Sequence, residues 1–290
     1  MTKNKGIIVL VFVTIFWSYG FIATQMAIDA NIKVPAILCF RFLIAALLIG
    51  IINYKRIKYL SKATIKRGIA AGFIMFWAYY TQTLGQDLAP ISIVALISSS
   101  YVVFVPILNW IFKGEKPAKL TMLISSIAML GMIVLNYDGS RFVFDIGAVF
   151  VFISSIAFAM HVSFVDIYCA QENIFDQSFV QLLCAGVMSF IAMLITDSIP
   201  TQYEITQGLL GILYLAVFSS GLCTLLQILG QKHVPAANSA IILSVEGVFA
   251  CILSIILGYE SFKLNMLFGG ILILFSAIFI NVKEAREQIS

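Results

Sequence analysis

Apolar stretches about the length of a membrane-crossing helix follow one another along the chain, separated only by short polar breaks. They cover about 6–28, 35–54, 68–86, 91–112, 119–136, 146–168, 177–196, 208–230, 236–258 and 265–282. A spanning helix takes roughly 20 apolar residues, so ten of them use about 200 positions and leave no room for a sizeable soluble domain. The breaks carry the expected punctuation: a basic run from Lys55 to Arg67, Pro90 and Pro235 opening two stretches, and Pro200 within a polar loop. The first stretch, behind Lys3 and Lys5, has the flanks of a secretory signal. Its 23 residues from Gly6 to Ile28 exceed the roughly 7–15 of a signal core, so it is read as a retained helix.

The stretches fall into two copies. A shift of 145 residues aligns Leu84, Gly85, Gln86, Pro90 and Glu115 with Leu229, Gly230, Gln231, Pro235 and Glu260, and 13 of the 32 positions between these limits match without a gap. Shared apolar composition produces Ile and Leu coincidences, but it does not place Gly-Gln, Pro and Glu in register. The prediction is an all-α integral membrane protein of ten transmembrane helices, built as five-helix repeats over 1–141 and 142–290. Five is odd, so the second copy enters the membrane upside down. Inverted repeats are a transporter architecture, with the substrate site near the midplane where the halves meet.

Composition agrees and charge gives a direction. Hydrophobic residues make up 61% of the chain and charged ones 11%, too few to cover a water-soluble globule of this size. With the N-terminus inside, fourteen Lys and Arg fall on the cytoplasmic side and three (Lys33, Arg141, Lys263) outside, leaving Arg41 within the second stretch. This bias predicts a multi-pass membrane protein with both termini cytoplasmic. The loop from Asp166 to Gln177 has no Lys or Arg, so its neighbours are oriented mainly by parity. The five cysteines show no CxxC spacing and read as small core residues.

Several short motifs also resemble the EamA group of the drug/metabolite transporter superfamily. They are Phe16-Trp17-Ser18-Tyr19-Gly20, Arg41, Leu88-Ala89-Pro90 before a Ser-rich stretch, Gly114-Glu115, Ser244-Val245-Glu246 and Glu260. The resemblance implies a ten-helix carrier of amino acids and other small metabolites across the inner or plasma membrane, often working outward. It departs at Glu246, which is followed by Gly247 where the family often has proline. Glycine also loosens a helix.

Depth along the stretches singles out the candidate substrate-binding residues. Tyr101 and Glu246 each stand ten residues into their stretch, near midplane, and are repeat mates. An ionised group there costs roughly 2.5–3.5 kcal/mol on insertion scales, so Glu246 needs a partner, water or a proton. It is expected to bind a substrate cation or take up a coupling proton. Ser98 and Ser239 extend the faces of Tyr101 and Glu246. Tyr79 and Gln82 form a polar face in the third stretch, and Gln227 repeats it in the eighth. Gln86 and Gln231, at stretch ends, are expected to be solvated at the interface. Trp17 lies near mid-depth, away from the aromatic belts. His161 is a candidate proton relay or substrate ligand. Arg41, close to the outer face, is expected to snorkel outward or attract a carboxylate. Glu115 and Glu260, at stretch ends, are expected to cap the interfaces or pair with Lys116 and Lys263.

No GxxxxGK[ST] sequence occurs, so ATP hydrolysis in this chain is not supported. An intramembrane hydrolase would need a GxSxG elbow or a deep Asp pair, and neither is present, so an enzyme is not expected. No metal or cofactor is expected. The expected partners are a small-molecule substrate, the lipid bilayer and a coupled proton, not nucleic acid, with assembly as monomer or homodimer. The competing reading is a channel or a non-transporting receptor.

Overall fold

The structure is a computed structural model that describes residues 2–114, 116–135, 146–169, 172–262 and 264–287. Among these, every regular element is helical. The first half holds α1 (Lys3–Asp29), α2 (Val34–Ile52), a short α3 (Tyr54–Ile57), α4 (Lys62–Leu88), α5 (Ile91–Ser99), α6 (Tyr101–Lys113) and α7 (Lys119–Leu135). The second holds α8 (Ile146–Phe164), α9 (Ile174–Ile195), α10 (Gln202–Tyr214), α11 (Cys223–Gln231), α12 (Ala236–Leu243), α13 (Glu246–Ile256) and α14 (Leu264–Glu287). A π-helical turn, Val165–Cys169, extends α8, and another, Leu215–Leu222, joins α10 to α11.

Helix starts follow local chemistry. Ser61 Oγ accepts the Thr64 N–H at the head of α4, and Asn173 Oδ1 accepts the Phe175 and Asp176 N–H groups at the head of α9. Thr201 and Glu204 make a reciprocal capping box that opens α10. Gly114 and Gly258 take φ of +73° and +79° just past α6 and α13, a conformation glycine adopts without the Cβ penalty.

Among the described residues seven helical segments are long and apolar enough to cross a membrane: Lys3–Asp29, Val34–Ile52, Ile91–Lys113, Ile146–Cys169, Ile174–Ile195, Gln202–Gln231 and Ala236–Ile256. Three further helices, α4, α7 and α14, occupy the remaining expected stretches. α4 begins with Lys62, Lys66 and Arg67 and carries a Tyr- and Gln-rich end. The apolar cores of α7 and α14 are shorter, at Lys119–Gly131 and Leu267–Ser276.

The halves interlock. α1 crosses into the second half to pack on α10, α11 and α13, and α8 crosses into the first to pack on α4, α5 and α6. α2 lies on α9, its mate in the repeat, and the two run antiparallel: Gly50 backs onto Phe179 and Gly186 onto Leu43. At Gly72 a Cβ would stand 2.5 Å from the Gln181 carbonyl oxygen, so α4 and α9 approach to backbone distance.

Among the described residues, three ion pairs join the halves at one end. Arg56 meets Asp176 at 3.1 Å, Lys113 meets Asp166 at 2.7 Å, and Arg67 meets Glu172, which also accepts the Thr64 hydroxyl at 2.7 Å. Asn53 adds a 2.6 Å hydrogen bond to Asp176. The loop that lacks Lys and Arg thus supplies the carboxylates for the basic residues of the first half. Lys116 lies over Trp110, and Glu260 accepts the Ser92 N–H at 3.0 Å. Glu115 and Lys263, named as its counterparts above, lie outside the described residues, as does Arg141.

Candidate functional site

Two of the apolar stretches are broken near their middles, at equivalent places. The fourth divides at Ser100 into α5 and α6, and the ninth at Ser244–Val245 into α12 and α13. Position 100 plus 145 is 245, so the breaks are repeat mates. Serine hydroxyls turn back onto helix carbonyls there: Ser99 to Ala95, Ser100 to Ile97 and Ser244 to Ile241, at 2.6–2.8 Å. The backbone tightens to i→i+3 bonds, Val103 to Ser100 and Val248 to Val245 among them. Hydroxyls from α1 serve the carbonyls around the second break, Thr14 donating to Ile242 at 3.3 Å and Ser18 to Glu246 at 3.1 Å. Tyr101 therefore opens α6 and Glu246 opens α13. A carboxylate at a first helical position meets the positive end of the helix dipole.

Both residues line a cavity between the halves, with about 450 Å³ of space between atoms including its mouth. Five sequence candidates line it: Trp17, Tyr79, Gln82, Tyr101 and Glu246. The Glu246 side chain is 4% exposed and has no cationic partner within salt-bridge distance among the described residues. Tyr101 and Glu246 interact electrostatically, but the Tyr101 hydroxyl falls short of hydrogen-bond geometry and is without another partner among the described residues. Gln82 Nε2 donates to Ser98 Oγ at 2.6 Å, so Ser98 orients a lining residue and does not line the cavity itself.

Arg41 also lines the cavity, at only 2% exposure. It does not snorkel. Its Nε donates to Ser220 Oγ at 2.9 Å and its Nη2 to Ser219 Oγ at 3.1 Å, and its Cζ sits 4.4 Å from the centre of the Tyr79 ring. Trp17 Nε1 donates to the Ser219 carbonyl at 2.9 Å. The π-helical turn thus anchors Arg41 through its hydroxyls and Trp17 through a carbonyl. Such turns inside α-helices recur at functional sites.

Besides Ser98, three more candidates stand off the lining. His161 Nε2 shares a 3.0 Å hydrogen bond with Gln181 Oε1, beside Gly72 of α4, about 10 Å along that helix from Tyr79. Gln227, 1% exposed with its Nε2 unpartnered, lies on α11 towards the ion-paired end. Ser239 closes the start of α12 on the Val234 carbonyl at 3.0 Å. Gln86 and Gln231 are buried, contrary to interfacial solvation. Each is a clamp within its own half: Gln86 donates to the Phe21 carbonyl at 2.7 Å and Gln231 to the Val162 carbonyl at 3.0 Å. Phe21 and Val162 both line the cavity.

Cavity lining on α1 runs from Trp17 to Thr24, away from the ion-paired end, where Gly6 packs on α11 and the segment after it. Phe158 and Val162 of α8 also line it. Sequence reading missed Arg41 as a lining residue, and missed Phe158, Val162 and Ser219. For Arg41 the signal was there: an arginine inside an apolar stretch marks a functional position by default.

Residues 4–137 and again 145–282 match the EamA-like transporter family. The chain belongs to that family. An uncharacterized transporter from Archaeoglobus fulgidus is 27% identical to this EamA-like chain over 276 residues, which is 94% of this chain and 85% of the other. A crystal structure of a further protein superposes with a TM-score of 0.79 over 98% of each chain at 14% identity, a likeness of fold alone. The EamA-like chain is therefore a multi-pass membrane protein of a transporter family, with its central cavity built from both matched repeats.

Proposed function

We propose that this EamA-like protein is a secondary transporter that moves small metabolites, amino acids or related amines, outward by alternating access around the central cavity. The observation that carries the reading is the pair of equivalent helix breaks, each presenting a polar side chain, Tyr101 or Glu246, to one cavity between the halves. Broken helices that meet at the middle of a repeat interface are how transporters expose backbone and charge to a substrate inside a membrane.

On this reading ten helices span the cell membrane as inverted halves, 1–141 and 142–290. The antiparallel packing of α2 on α9 supports the inversion. The charge bias supports cytoplasmic termini and makes the ion-paired end the cytoplasmic one. The cavity then faces the exterior in this state. Glu246 takes the cationic group or a proton, Gln82 and Tyr101 hydrogen-bond the substrate, and Trp17 and Tyr79 wall it. Gln227 and His161 become the opposite mouth when the halves rock, and Ser98 and Ser239 hold the broken helices. Outward movement is the direction the family resemblance implies.

The test is counterflow in proteoliposomes. Substrate loaded inside should accelerate entry of labelled substrate from outside. A channel or receptor gives no such trans-acceleration, and its absence across amino acids and amines would overturn the proposal.

A further inference from the structure

The buried Arg41 carries an inference that rests on the carrier reading and narrows its substrate. A guanidinium has five N–H donors in a rigid planar fork. Among the described residues two hydrogen bonds use it, both to serine hydroxyls, which bring no charge. The nearest aromatic faces, Tyr79 at 4.4 Å and Phe42 at 5.3 Å, hold the group by cation–π attraction and fix its plane. No carboxylate of the described residues lies within salt-bridge distance of it. A permanent cation this deep, with no anion, is a costly arrangement unless something anionic visits.

Among the described residues, the one carboxyl group that lines the same cavity, Glu246, does not pair with it. Tyr79 lies within electrostatic reach of both. The cavity therefore offers a guanidinium and a carboxyl group that leave each other free, with Trp17, Phe21 and Phe158 supplying apolar and aromatic surface. That is the complement of a molecule carrying a carboxylate, an ammonium and an apolar side chain.

We propose that Arg41 is the specificity-determining anchor for a substrate carboxylate, so that the cavity selects zwitterions over amines. The guanidinium fork donates its unused N–H groups to the carboxylate, while Glu246 receives the ammonium. The two serines and Tyr79 position the fork, and they belong to opposite halves, with Ser219 and Ser220 on the π-helical turn and Tyr79 on α4. Binding of the carboxylate thus draws on both halves at once.

Matched probe pairs decide it. Each of the apolar and aromatic L-amino acids is tested beside the amine lacking only its carboxylate, such as leucine with isopentylamine and phenylalanine with phenethylamine. Binding is measured on the purified full-length protein in nanodiscs, with counterflow of the same probes in vesicles. Wild type should prefer the amino acid of the transported pair by at least about tenfold, as expected for a charge-assisted bidentate contact. Arg41→Gln should abolish the preference, bringing that amino acid to the affinity of its amine, whereas Glu246→Gln should weaken both. Equal affinity of amino acid and amine in wild type overturns the proposal, as does an Arg41→Gln protein that keeps the preference. Should Arg41→Gln not fold, the wild-type pair still decides, and Arg41→Lys, which keeps the charge without the fork, should lose most of the preference. Counterflow of amines as good as that of amino acids removes the role of Arg41 and leaves the carrier reading standing. Silence of every probe in both assays removes both.

Discussion

Tyr101 and Glu246 stand 145 residues apart, and each is the first residue of the second half of a broken helix, looking into one shared cavity. The phenol and the carboxyl are thus the same structural position used twice with different chemistry. A repeat of identical residues would have made the cavity symmetric. The difference gives it an acidic pole on the α13 side, opposite in sign to Arg41.

That asymmetry predicts the behaviour of Glu246→Gln. Glutamine keeps the shape and hydrogen bonding of the side chain and removes the proton-carrying group, so the protein should fold. Flux of wild type in vesicles should vary with external pH, and the pH-dependent component should fall by at least about tenfold in the variant, the scale of losing a charged buried contact. An unchanged rate and pH profile would make Glu246 a packing residue.

The ion pairs at the basic end predict a shift in which way the carrier faces. Glu172 holds Arg67 and Thr64 through its carboxylate and Lys232 through its backbone carbonyl, tying both halves together where the cavity is closed. Partly exposed pairs are worth about 0.2–1 kcal/mol each. Glu172→Gln should therefore raise the fraction open at that end by up to about fivefold, and high salt should mimic it in wild type. Hydrogen exchange of the α4 and α9 ends in substrate-free protein reads this out. No change in exchange with either treatment would make the pairs ornamental.

Close helix approach predicts a stability effect away from the site. Gly72→Ala would place a methyl group 2.5 Å from the Gln181 carbonyl oxygen and 2.7 Å from Cys184 Cβ. Overpacking of this kind costs about 1–3 kcal/mol. Thermal unfolding of the purified variant should begin at lower temperature, and an unaltered transition would show that α4 and α9 yield at no cost.

Helix positions were largely legible in the sequence, because every apolar stretch holds helix and the largest shift at a helix start is six residues, at α4 and α10. Burial in lipid leaves little choice of local structure, so composition speaks for the fold. The two mid-helix breaks were not legible. They arise from Ser99, Ser100 and Ser244 turning onto carbonyls, and such serines read equally well as small packing residues until Thr14 and Ser18 are seen to serve the carbonyls beside the second break. Trp17, Tyr79, Gln82, Tyr101 and Glu246 were visible as polar or aromatic groups at depth. Of the two expectations for Arg41, snorkelling failed because depth along α2 places it near a boundary, whereas its burial comes from Ser219 and Ser220, 178 and 179 residues away in the chain. The clamps of Gln86 and Gln231 escaped for the same reason: their acceptors are carbonyls of α1 and α8, which no side-chain pattern announces.

Alternating access around the cavity is tested most directly by two single-cysteine variants, Gln82→Cys and Gln227→Cys, followed with a membrane-impermeant thiol reagent on a background lacking the five native cysteines. Gln82 lines the cavity, whereas Gln227 is 1% exposed and lies towards the ion-paired end. Because opening one side closes the other, a transported ligand should move the two labelling rates in opposite senses. Parallel changes at both positions, or none at either, would contradict the account.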